Sequence, residues 1–256
     1  MIKKADISHK LQIAELWNEA FGDSVREVLE YLEYLIDFFY ICEEDGELNA
    51  MAAVLPVSFS GMSGGYIYAV ATRKSMRGRG LSTKLLEYIK KLDEYDFLVL
   101  VPQNESLFSF YEKRGFFAFS STEIIKVPVD SELATKVVCK EISAEKYLEL
   151  RKRYVGEKLI EWGTDTLNFA KKMYGAGFFE VEKCGQTKAV CFCFKIDKKL
   201  IIKELLGDKD EPFLRELATF FGCEFVEAVC LNSDAKPCAM IYPELPGDKY
   251  FSISMD

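Results

Sequence analysis

Arg77-Gly78-Arg79-Gly80-Leu81-Ser82 is the stretch of this 256-residue chain best suited to do chemistry. Its spacing predicts a loop between a strand and a helix. In that position the N–H groups of the loop and of the first helical turn converge, and glycines let a phosphate approach without a Cβ in the way. Arg73, Lys74, Arg77, Arg79 and Lys84 place five positive charges within twelve residues around it. The plainer alternative is a solvated basic turn. A second constellation runs from Asn104 to Phe116, where Asn104 is placed to cap a short helix and Gly115 to stop it. Tyr111 lies seven residues after Asn104. One turn beyond Leu107 and Phe108, its ring is placed to pack as a buried aromatic on an apolar helix face.

The rest of the composition narrows what such residues serve. Lys plus Arg is 33 and Asp plus Glu is 41, a net charge of −8. That argues against coating a phosphodiester backbone or an anionic membrane, so any anionic ligand must find a local basic site. With 49% hydrophobic and 29% charged residues the chain can build a core. Eight cysteines include no C-x-x-C pair, and the single histidine is His9. The cysteines read as reduced, small apolar residues, His9 as a capping or surface residue, and no metal site is expected. No stretch approaches the roughly 20 apolar residues of a membrane span, and the start MIKKADISHK lacks a signal-peptide apolar run. The expectation is a cytosolic protein.

The elements that must position these residues read in the order strand, helix, helix, strand, strand, strand, helix, strand, helix, strand. Leu11, Ile13, Leu16, Trp17 and Phe21 fall on a helical period closed by Gly22, and Ser24 caps a second helix with the stripe Val28, Leu29, Tyr31, Leu32 and Leu35. Asp45-Gly46 marks a hairpin, Gly64-Gly65 precedes a strand over residues 66–72, and the basic loop follows. A helix to about Leu92, an apolar strand over 97–101, the short helix and a strand over 116–129 complete the half.

The same order recurs more faintly downstream, with helices over 142–154 and 165–174, a hairpin at Gly185-Gln186, a strand over 200–206, a helix over 212–221 and a strand over 224–229. Placing Gly46 on Gly185 gives an offset of 139 residues. One fold used twice accounts for the length; the alternative is a single unrelated C-terminal α+β domain. In a second copy the loop equivalent to Arg77–Ser82 is Leu206-Gly207-Asp208-Lys209-Asp210-Glu211-Pro212, whose carboxylates would repel a pyrophosphate.

On these residues the first 130 or so positions resemble the GNAT superfamily of acyl-CoA-dependent N-acyltransferases. That family carries Q/R-x-x-G-x-G/A at a helix start, met here by Arg77-Gly78-Arg79-Gly80-Leu81-Ser82 with serine as the small residue. It also carries a downstream N-x-x-A-x-x-x-Y-x-x-x-G-F, of which Asn104, Tyr111, Gly115 and Phe116 match while Leu107 replaces alanine. The resemblance implies an α/β (α+β) fold with a mixed central sheet flanked by helices, present twice in tandem. Residues 1–133 would be the catalytic domain, and 134–256 a degenerate copy covering the acceptor cleft. It implies acetyl-CoA as co-substrate and no metal. The pyrophosphate would lie on the amides of Arg77, Gly78, Arg79, Gly80, Leu81 and Ser82, near Asn104, and the pantetheine arm would pair with Val70, Ala71 and Thr72. Tyr111 would be the general acid, and the acceptor a primary amine on a small molecule.

A base for the attacking amine does not declare itself. Glu30, Glu33 and Asp37 share a helix face, the kind that is usually solvated. The tail alternates, with Phe251, Ile253 and Met255 on one face and Ser252, Ser254 and Asp256 on the other, so it is expected to dock as a strand. By resemblance to multidomain aminoglycoside-acetylating members, Asp256 would then serve as base. The competing readings are a non-catalytic acyl-CoA-binding or regulatory module, and aminoacyl transfer from tRNA, which the acidic balance disfavours.

Overall fold

The computed structural model describes residues 1–129, 135–253 and 255. They divide into two compact units: unit 1 comprises residues 1–100, 109–116 and 241–244, and unit 2 comprises 101–108, 117–240 and 245–256. The boundary expected between residues 133 and 134 falls outside the described residues. The strand that was to end the first half groups with unit 2 instead.

Unit 1 is built from β1 (Ile2–Lys4), α1 (Lys10–Phe21), α2 (Val25–Leu35), β2 (Phe39–Glu44), β3 (Glu47–Phe59), β4 (Met62–Thr72), α3 (Leu81–Ile89), β5 (Phe97–Leu100) and the end of α4 (Glu105–Glu112). Its strands lie in the order β1-β2-β3-β4-β5. The first three pairs are antiparallel and β4–β5 is parallel, which requires the crossover that α3 supplies. Asp45 and Gly46 turn the β2–β3 hairpin with φ of 53° and 80°, the left-handed pair that a tight reversal needs.

Ser24 caps α2 in a box with Glu27, and His9, only 6% exposed, closes another with Asp6, whose amide donates to Nδ1 at 3.2 Å. In α1 it is Ile13, Ala14, Leu16 and Trp17 that are buried, while Leu11 and Phe21 are exposed. Leu11 lies on the side of the helix away from that buried arc, and Phe21 is the helix's last residue, its ring edge-on to Trp17 at 5.5 Å. Gly64-Gly65 is not a turn. Both lie inside β4, where a Cβ would come within 2.3 Å of the Phe97 ring at Gly64 and within 2.4 Å of Val54 at Gly65. Close packing, and not chain reversal, demands glycine there.

Unit 2 contains β6 (Phe117–Pro128), β7 (Val137–Ile142), α5 (Ala144–Val155), β8 (Glu161–Trp162), α6 (Thr164–Tyr174), β9 (Gly177–Lys183), β10 (Gln186–Ile196), β11 (Lys199–Gly207), α7 (Glu211–Phe220) and β12 (Phe225–Leu231), with β13 (Pro237–Tyr242) after them. Its sheet runs β7-β9-β10-β11-β12-β6. Pairs β7–β9, β9–β10 and β10–β11 are antiparallel, and β11–β12 is parallel across α7. That series repeats the directions of β1 to β5 strand for strand, and two helices follow the first strand in both units. β6, from the chain's first half, then pairs antiparallel with β12. Phe213, Leu214 and Leu217 of α7 pack with Ile202, Val226 and Cys191 in the core, each such side chain contributing about 1.5–3 kcal/mol by leaving water.

The tail is docked but is not a strand. Tyr250, Phe251, Ser252, Ile253 and Met255 are all buried, Ile253 has φ of 63°, and only an isolated bridge joins Tyr250 to Leu159. Alternation therefore does not separate a wet face from a dry one.

Candidate active site

β4 and β5 pair over Gly64↔Phe97, Gly65↔Leu98 and Tyr66↔Val99, and the parallel pairing described ends there. β4 continues to Thr72. β5 itself ends at Leu100, and β4 carries an irregularity farther along. Between Ala53↔Tyr68 and Met51↔Ala71 the register slips, so that Ala52 alone faces Ala69 and Val70. Ala69 takes φ of 50°, an uncommon conformation for a residue with a Cβ, and a bulge of this kind bends its strand. Val70, Ala71 and Thr72 therefore lie on the stretch of β4 beyond the β5 pairing. An extended ligand can pair with such backbone. Thr72 Oγ1 is buried there without a hydrogen-bond partner, an orphan that a ligand group would satisfy.

The basic loop follows directly. Gly78 and Gly80 have φ of 79° and 73°, and no atom lies within 4 Å of where a Cβ would stand on either. Gly80 is the N-cap of α3 and offers no side chain to it. The first helical bond is Lys84 N–H to Gly80 O at 3.0 Å, so the amides of Leu81, Ser82 and Thr83 have no carbonyl a turn earlier to bond. Open space, uncapped donors and the positive helix end make an anion cradle. Arg77 and Arg79 are exposed beside it. Arg73 is committed elsewhere: its Nε donates to Leu48 O at 2.7 Å, and Glu15 and Glu19 lie 3.9 and 3.8 Å from its guanidinium. The sequence grouped five charges; this one serves the fold.

Tyr111, 7% exposed, lies in the last turn of α4. Its ring meets Phe110 edge-on at 5.1 Å and Phe116 at 5.7 Å. Gly115, with φ of 79°, ends the helix, and Phe116 N–H returns to Tyr111 O at 3.2 Å. Phe116 packs in turn on Tyr242 at 5.6 Å, whose ring carries Lys90 Nζ 4.2 Å from its centroid. Tyr242, which belongs to unit 1 although it comes from far down the chain, escaped the sequence reading because no local pattern marks it.

Unit 1 thus holds the extension of β4 beyond β5, the loop and Tyr111. Asn104 groups with unit 2 and caps α4, its Oδ1 accepting the Leu107 amide at 3.0 Å. Leu107 is half-buried. Asp256 lies outside the described residues. Glu33 and Glu30 are exposed, with Lys10 2.6 Å from the first and Arg26 3.8 Å from the second, and Asp37 is exposed as well. They form the solvated face that such residues usually make.

The loop of unit 2 has the opposite character. Asp210 caps α7, its Oδ1 accepting the Phe213 amide at 2.8 Å, so that helix terminus is closed by its own carboxylate. Gly207 is required there by packing, since a Cβ would fall 2.2 Å from Lys188 O. Among the described residues no three His, Cys, Asp or Glu side chains are grouped to hold a metal ion. No helix among them is long and apolar enough to cross a membrane.

Residues 1–119 match the family model described as an acetyltransferase (GNAT) domain. No curated protein matches the chain. Among solved structures, a GCN5-related N-acetyltransferase from Anabaena variabilis is similar with a TM-score of 0.71 at 14% identity, covering 94% of this chain and 72% of that one. One from Sphaerobacter thermophilus is similar at 0.58 and 15%, covering 97% of both chains, and one from Kribbella flavida at 0.64 and 14%, covering 94% and 71%. At these identities the likeness is one of fold: a mixed sheet flanked by helices, over both halves.

Proposed function

We propose, from the match of residues 1–119 to the acetyltransferase (GNAT) domain model, that the chain is an N-acetyltransferase that moves an acetyl group from acetyl-CoA to a primary amine of a small molecule. One observation carries the reading: an uncapped, glycine-opened helix terminus follows the stretch of β4 that extends beyond its pairing with β5. A thioester brings an activated acyl group. The chain's residues bind, orient and manage protons around it.

In this reading the amides of residues 77–82, with Arg77 and Arg79, hold the pyrophosphate, and the backbone of Val70, Ala71 and Thr72 aligns the pantetheine arm. Asn104 contributes by fixing the start of α4. The amine attacks the carbonyl directly while both substrates are bound, with no acyl-enzyme. Tyr111 then donates its phenolic proton to the departing thiolate, and Asp256 takes the proton that the amine loses. We assign the second unit to the acceptor and not to the donor, because α7 is capped by Asp210 where α3 is open.

CoA release from acetyl-CoA, screened against a library of amines, tests this. The expected result is release that depends on an added amine and falls about 100-fold in Tyr111→Phe, while the affinity for CoA is kept. Binding of CoA with no amine-dependent release would identify a non-catalytic module; failure to bind CoA would remove the whole reading. Removal of Met255 and Asp256 is expected to abolish turnover with CoA binding intact, and unchanged turnover would discard Asp256 as the base.

A further inference from the structure

The helix that presents the open loop and the helix that carries Tyr111 in its last turn are bridged by one residue, Arg114. The Arg114 guanidinium donates from Nε and Nη2 to Thr83 Oγ1 at 3.1 and 2.5 Å, and from Nη1 to Phe110 O at 2.5 Å. Its Cζ lies 3.4 Å from the Phe110 ring centroid, and Phe110 packs edge-on against Tyr111. The carbonyl of the same residue accepts Lys90 Nζ at 2.8 Å, from the C-terminal end of α3. Thr83 and Lys90 are seven residues apart, about 10 Å along a helix axis at 1.5 Å per residue. Arg114 is therefore gripped by both ends of α3 while it fixes the last turn of α4.

We propose that Arg114 is a positioning residue, which sets Tyr111 relative to the amides of Leu81, Ser82 and Thr83 and acts through Thr83. The inference rests on the function proposed above and adds to it the part that couples donor binding to the acid. Guanidinium suits the task because its rigid fork serves three bonds and a ring face at once; an ammonium is a point charge that cannot do all of these. A displacement of about 1 Å at a catalytic group is enough to cost up to about 100-fold in rate, so the bridge should be felt in turnover before it is felt in binding.

Thr83→Val, which keeps the branched shape and removes the acceptor, and Arg114→Met are the informative variants, each made alone and together and compared with Tyr111→Phe. The expected result is a kcat reduced about tenfold in each single variant, a KM for acetyl-CoA within about threefold of the parent, and a double variant no slower than the worse single one, because both remove the same link. Thermal melts run beside the assays identify any variant that fails to fold; Thr83→Val is the mild change that keeps the test open if Arg114→Met does not fold. A Thr83→Val enzyme with parental kcat, a KM that rises in step with the loss of kcat, or strictly multiplicative losses in the double variant would overturn the proposal. If Tyr111→Phe loses turnover while Thr83→Val keeps it, the coupling is wrong and the reading of the site stands. If Tyr111→Phe keeps turnover, the acid itself is misassigned and the coupling falls with it.

Discussion

Arg151 and Glu204 form a two-point ion pair, Nε to Oε2 at 2.7 Å and Nη2 to Oε1 at 3.0 Å, with neither side chain exposed at all. Tyr147 and Ser252 hydroxyls also donate to the Glu204 carboxylate, so a tail residue shares in solvating the buried charge. Trp162 Nε1 donates to Ser252 O at 3.0 Å, and Ser120 exchanges two bonds with Phe251. The docked tail of unit 2 is thus held on a buried charge. Glu204→Gln leaves the guanidinium uncompensated, and the expected loss of stability is about 3–5 kcal/mol. An Arg151→Met, Glu204→Leu double variant should lose less than Glu204→Gln alone, since no charge is then stranded. Urea unfolding followed by tryptophan fluorescence measures both.

The same pair sets a dependence on pH. Burial on its own would push the Glu204 carboxyl up, but the Arg151 charge and the bonds from Arg151, Ser252 and Tyr147 outweigh it and hold it below the ordinary 4.5. A carboxyl depressed in the folded state stabilises the fold above its ordinary value, and that contribution is lost as pH falls through the folded value. Unfolding free energy measured from pH 6 down to pH 3 should therefore decline in the parent below about 4.5 and decline less steeply in the Arg151→Met, Glu204→Leu variant. Parallel curves would show that Glu204 carries none of the acid sensitivity.

At the anion cradle, the two helix starts of the chain supply their own experiment. Gly80 leaves α3 open with φ of 73°, and Asp210 closes α7. Gly80→Ala adds only a Cβ in free space, so its cost is the left-handed backbone, about 1–2 kcal/mol. Gly80→Asp adds a carboxylate beside the amides that a pyrophosphate would use. Calorimetry with CoA should show about a tenfold loss for the first and a far larger loss for the second. Equal affinities in all three would place the pyrophosphate elsewhere.

What the sequence could and could not reveal divides along the range of the interaction. Asp45-Gly46, the Ser24 cap, the Asn104 cap and the glycines at 78 and 80 act through their own backbone or that of near neighbours, so residue type and spacing suffice to find them. Gly64-Gly65 has the composition of a turn but is glycine because of the Phe97 and Val54 side chains, which sequence spacing does not bring near. Glu204 reads as an ordinary charge on a strand, since the arginine that makes its burial tolerable stands 53 residues earlier. The tail alternates in type, yet Ser252 is buried for a hydrogen bond that its alternation would assign to solvent. The open loop and the placement of Tyr111 at the end of a short capped helix were legible because each belongs to a local motif; the contacts of Arg114, Thr83 and Tyr242 were not, because they join elements far apart in the chain.

The repeated topology makes the number of CoA molecules bound per chain a measurable quantity, and the two helix starts differ in what they offer an anion. Among the α7 amides, Phe213 N–H is spent on Asp210, residue 212 is proline and has no N–H to give, and Asp208 and Glu211 add negative charge at the same helix start. A pyrophosphate there would lose donors and face repulsion together. CoA should therefore titrate at one molecule per chain. Asp210→Ala removes the cap at a cost of about 1 kcal/mol in stability, yet should leave that stoichiometry at one, because the proline and the neighbouring carboxylates remain. A second binding event in either protein would mean that unit 2 keeps a donor site of its own, and the division of labour between the units would have to be redrawn.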